Sequence, residues 1–162
     1  MKQTQLDKHT IAWFKIAECV SRGEKERALG VYRLLSYSFN DNAVARQLEA
    51  DIYFSFGDKN HAIPLYYTAM ELYQKSNRLL EAAAVGEHLV IMRPDEIALR
   101  RELIKLHSAL DNSVRVHHHV DKALDTLFLI NNEHNLQEFL SVLRGYSDEL
   151  YECAVVYLQT IG

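Results

Sequence analysis

The chain has few of the residues that break helices: its 162 residues include two prolines and six glycines. No Asn-Gly or Asp-Gly pair is present to turn a hairpin, and no window sustains the apolar–polar alternation of a strand. An uninterrupted apolar run of about 18 residues, the minimum for a membrane span, is also missing. The first nine residues are polar and lack the apolar stretch of a signal peptide, so a cytoplasmic location is the expectation. Cysteine is scarce. Cys19 and Cys153 stand near opposite ends of the chain, and both are expected to be small buried apolar residues rather than a disulfide, which needs Cα atoms within about 7 Å. Excess positive charge is absent too. The formal charge is −4, with Lys and Arg scattered among more numerous carboxylates, so nucleic acid is not an expected partner.

Catalytic signatures are missing in the same way. The chain holds no Gly-x-Ser-x-Gly elbow, no Walker-type loop and no dinucleotide glycine fingerprint. The pairs Asp95/Glu96 and Asp148/Glu149 fall at expected helix starts, where the helix dipole accounts for them. Eight histidines raise the question of a metal. His117, His118 and His119 are consecutive, however, and on a helix successive residues point about 100° apart, so the three cannot converge on one ion. His88, His107 and His134 read as isolated, solvated or half-buried side chains. No enzyme activity, cofactor or metal is expected.

What the chain does contain is helical periodicity with a longer period laid over it. Leu99, Leu103, Leu106 and Leu110 show the local spacing. Helices are expected near 6–21, 25–38, 43–56, 60–75, 78–92, 95–110, 113–131, 134–144 and 147–160, the last two broken at Gly145 and the last capped by Ser147. Gly23 and Ala28 are followed by Gly57 and Ala62, each pair 34 residues apart, and Asn77 and Ala82 are matched by Asp111 and Val116 at the same interval. Ala50, Tyr53, Gly57, Ala62, Tyr66 and Ala69 make the best single unit, and Ala82 with Pro94 anchors a second.

This pattern resembles the tetratricopeptide repeat, a pair of antiparallel helices repeating about every 34 residues. The resemblance covers roughly residues 9 to 125. It implies an all-α, right-handed superhelical array of helix pairs: a polar lead over 1–8, about three repeats over 9–131 and capping helices over 132–162. Two departures stand out. Ala62 and Ala82 lie only 20 residues apart, so the phase slips between them, and the helix near 60–75 would close one repeat and open the next. In the first unit either Ile16 or Ala17 takes the small-residue position.

By the same resemblance the first helix of each pair lines a concave groove. Trp13, Gln47, Asp51 and Phe54 would face it, with Arg101 and Lys105 further along, although Trp13 and Phe54 also suit packing between helices. Some members of the family clamp a chaperone's carboxy-terminal peptide with Lys and Asn; Ala17 and Leu48 do not supply that set, so no such clamp is expected. The resemblance implies an adaptor that holds a peptide or helix of another protein. A small secretion chaperone is the alternative, and an RNA-binding helical repeat is disfavoured by the charge. Tyr151, Val155 and Val156 lie off the stripe of the last helix, which leaves a homodimer contact there as the alternative to a simple cap.

Overall fold

The computed structural model describes residues 8–131 and 133–161. Among them are nine helices and no strand: α1 (Lys8–Ser21), α2 (Lys25–Ser36), α3 (Asn42–Ser55), α4 (Lys59–Lys75), α5 (Leu79–Met92), α6 (Ile97–Ala109), α7 (Ser113–Leu129), α8 (Glu133–Tyr146) and α9 (Asp148–Ile161). The expected polar lead lies outside the described residues except for Lys8, which opens α1. The chain forms two compact units, Met1–Met92 and Arg93–Gly162. The helices over 97–129 therefore belong with the C-terminal helices and not with the first five.

One backbone device ends helix after helix. Gly23, Gly57, Asn77, Asp111 and Asn131 all adopt left-handed conformations, with φ between 51° and 74°. These are the residue types that tolerate that region, Gly for want of a Cβ and Asn or Asp through local hydrogen bonding. At four of the five turns the hydrogen bonds are the same. Gly23 N–H donates to the Val20 carbonyl and Glu24 N–H to that of Cys19; Gly57 and Asp58 do so to Phe54 and Tyr53, Asn77 and Arg78 to Gln74 and Tyr73, and Asp111 and Asn112 to Ser108 and His107. Each is a Schellman closure, which satisfies carbonyls that the helix end leaves open.

The residue after each of these turns then starts the next helix. Ala28, Ala62, Ala82 and Val116 donate to the carbonyls of Glu24, Asp58, Arg78 and Asn112. Five residues after the left-handed position, each of these side chains is buried, the three alanines completely. The turns therefore set both the chain reversal and the register at which a small residue enters the contact. They fall 34, 20, 34 and 20 residues apart, so tight turns join α3, α4 and α5 as one run and α6, α7 and α8 as another.

In the first unit Ile16, Cys19, Leu29, Tyr32 and Leu35 of α1 and α2 pack with Leu48 and Ile52 of α3. Ala50, Ala62, Tyr66 and Ala69 are fully buried on α3 and α4. Tyr53 is half-buried, stacked on His61 at 5.0 Å. Pro64 lies inside α4 without breaking it; its side chain is exposed, and it offers no N–H to the Asn60 carbonyl.

In the second unit Val120, Leu124 and Leu127 of α7 join Phe139 and Leu143 of α8 and Leu150 and Ala154 of α9. The Tyr157 hydroxyl donates to Asp125 at 2.7 Å, tying α9 to α7. Pro94 stands in the segment before α6, where its carbonyl accepts two bonds from Arg100 (3.1 and 2.7 Å).

Three expectations are corrected. The α8–α9 break is at Ser147, whose hydroxyl accepts from Leu150 N–H (3.4 Å), while Gly145 lies inside α8, where nothing crowds its open side. Cys153 is exposed, because it falls on the outer face of α9; Cys19 is buried as expected. Glu96 occupies the N-cap of α6 but makes no cap bond and lies against Arg93 at 3.8 Å.

The left-handed turns make a direct prediction. A Cβ at Gly57 meets nothing within 4 Å, so Gly57→Ala should cost about 1–2 kcal/mol from backbone strain alone. Asn77→Gly should change stability by no more than about 0.5 kcal/mol, the relief of strain offsetting the freer unfolded chain. Urea unfolding of the two variants checks both figures.

Candidate functional site

Three of the expected groove residues, Gln47, Asp51 and Phe54, follow one another along α3 and are half-buried. Each holds a neighbouring helix. The Tyr73 hydroxyl donates to Gln47 Oε1 at 2.7 Å and the Tyr66 hydroxyl to Asp51 Oδ1 at 2.6 Å, so both bonds run from α4 to α3. Phe54 meets Tyr66 edge-on (6.4 Å) and His88 edge-on (4.9 Å), and the His88 ring stacks on Tyr66 at 5.2 Å, which brings in α5. Burial raises the Asp51 carboxyl above its ordinary range, with the Tyr66 bond and the nearby His88 pulling the other way. Burial, then Asp51, pushes the Tyr66 hydroxyl far up. This is a polar tie inside a helix contact.

Further polar ties brace the same unit. Lys25 at the start of α2 bonds Asp58, the N-cap of α4, at 2.6 Å and lies over the Tyr53 ring at 5.0 Å. Lys25 and then His61 hold the Asp58 carboxyl down to about 2. Asp41 caps α3 through the Ala43 and Val44 amides and also accepts from Arg78, which spans to the start of α5. The Tyr32 hydroxyl joins α2 to α3 through the Ala45 carbonyl (3.0 Å) and Glu49 (3.2 Å).

Of the expected groove residues in the second unit, Arg101 ties two helices while Lys105 pairs within its own. Arg101 bonds Glu138 of α8 at 2.8 Å and lies over the Phe139 ring, and Lys105 bonds Glu102 one turn away at 3.2 Å. His107 and His119 depart from expectation. They are buried and stacked at 5.5 Å, with planes 12° apart, and His118 meets His119 edge-on. The two come from different helices, so nothing in local spacing announces them. An open cavity of about 400 Å³ lies by the turns at 111–113 and 146–149, where His117, Tyr146 and Glu149 line it. His117 Nδ1 donates to the Ser113 carbonyl (2.8 Å).

Large apolar side chains are exposed on the α1–α2 hairpin, as they also are at Leu80 and Ile91 of α5 and at Phe128, Leu129 and Ile130 around the end of α7. Trp13 is 42% exposed, Phe14 66%, Leu34 79% and Tyr37 91%. Between the two helices runs a groove of about 390 Å³ walled by Ile11, Ala12 and Lys15 on α1 and by Val31, Leu34 and Leu35 on α2. Of the groove candidates read from sequence, Trp13 alone belongs to this exposed apolar group. The rest of the surface carried a legible signal. In α1, Ile11, Trp13, Phe14, Ile16 and Val20 are apolar on every side, and in α2 the adjacent Leu34 and Leu35 cannot both face one core.

Tyr151, half-buried, packs against the second unit's core with Arg144 over its ring at 5.3 Å, Val155 is half-buried, and Val156 is 60% exposed. No helix among the described residues is long and apolar enough to cross a membrane. No family model, no curated protein and no solved structure matches the chain.

The Asp51 tie yields a pH test. A carboxyl raised in the folded state stabilises the fold fully below the unfolded value of 3.8, and that contribution is lost as pH rises through the folded value. Asp51→Asn keeps an acceptor for the Tyr66 hydroxyl without the buried charge. It should melt above the wild type at pH 7, with the gain vanishing below pH 3.8. Asp51→Ala should instead cost about 1–3 kcal/mol, because a buried hydroxyl loses its acceptor. Thermal melts across this pH range decide the matter.

Proposed function

We propose that the chain is a non-enzymatic helical-repeat module, built on the plan of a tetratricopeptide array with α8 and α9 as its cap, that binds another protein. The observation that carries this reading is the exposed apolar surface of α1 and α2, centred on Trp13, Phe14 and Leu34. Exposed apolar side chains mark interaction sites where they gather, and aromatic side chains make the strongest anchors. The polar residues of α3 that would otherwise line a concave groove are engaged in ties to α4, so binding shifts from that helix to the first hairpin.

The ion pairs favour protein over RNA. In the first unit Arg22, Arg27, Arg46 and Lys75 each pair with a carboxylate one helical turn away, and Lys25 and Arg78 pair across helices. Cations neutralised in place reduce the positive surface open to phosphates. An open apolar groove also suits a chaperone that shields an export substrate, a form of the same protein-binding role.

Trp13 is 42% exposed, so Trp13→Ala should keep the helical fold at a modest cost in melting temperature and should weaken binding of the co-purifying partner by about tenfold or more. Calorimetric titration of wild type and variant with that partner makes the comparison. A large loss of stability with unchanged affinity would assign Trp13 to packing and remove it from the interface.

A further inference from the structure

We draw no further inference here: the strongest candidate, the apolar groove between α1 and α2 walled by Ile11, Val31 and Leu34, is an open face, and nothing in the structure shows what covers it.

Discussion

A backbone that must leave one helix and enter the next within two residues has few conformations open to it. This chain solves the problem with one left-handed residue followed by a Schellman closure. The same pair of hydrogen bonds at Gly23, Gly57, Asn77 and Asp111 satisfies helix-end carbonyls, reverses the chain and begins the next helix at a fixed offset. That offset delivers Ala28, Ala62 and Ala82 to positions of zero exposure. Small residues there allow close approach of backbones, and the larger Tyr32, Tyr66 and Tyr73 then fill the adjoining space and reach across to polar partners. Turn geometry, helix register and interhelical ties are thus consequences of one local constraint.

Those ties also occupy polar groups of α3. A tyrosine buried in a helix contact needs an acceptor for its hydroxyl, because an unsatisfied one costs about as much as the contact gains. Asp51 and Gln47 supply acceptors, and in doing so they cease to be available to a ligand. Lys25 with Asp58 and Arg78 with Asp41 similarly take charged groups of the first unit into internal bonds. The apolar outer flank of α1 and α2 is a surface these ties do not reach.

Most of the helical order was legible because it is local. A Gly, Asn or Asp with an Ala or Val five residues on is visible in the chain, and each such pair proved to be a turn and a buried side chain. The helix shared by two turns, α4, was legible from the 20-residue interval between Ala62 and Ala82. What failed to show depends on more than neighbours in sequence. Gly145 looks like a breaker, yet an exposed glycine only weakens a helix, and Ser147 two residues on has the hydroxyl that caps the next one. The burial of His119 beside His107 depends on two helices meeting. The family resemblance alone suggested a groove-lining place for Asp51, and its engagement with Tyr66 follows from the packing of α3 on α4.

We propose that the outer face of the first hairpin is where another protein is held. The most direct measurement places a photo-crosslinking residue at Leu34, and separately at Arg46, which is exposed on α3 away from that groove, and illuminates the full chain in its native cells. The account predicts one discrete protein adduct from position 34, resistant to nuclease, and none from position 46. Adducts that nuclease removes, or an equal yield from both positions, would contradict it.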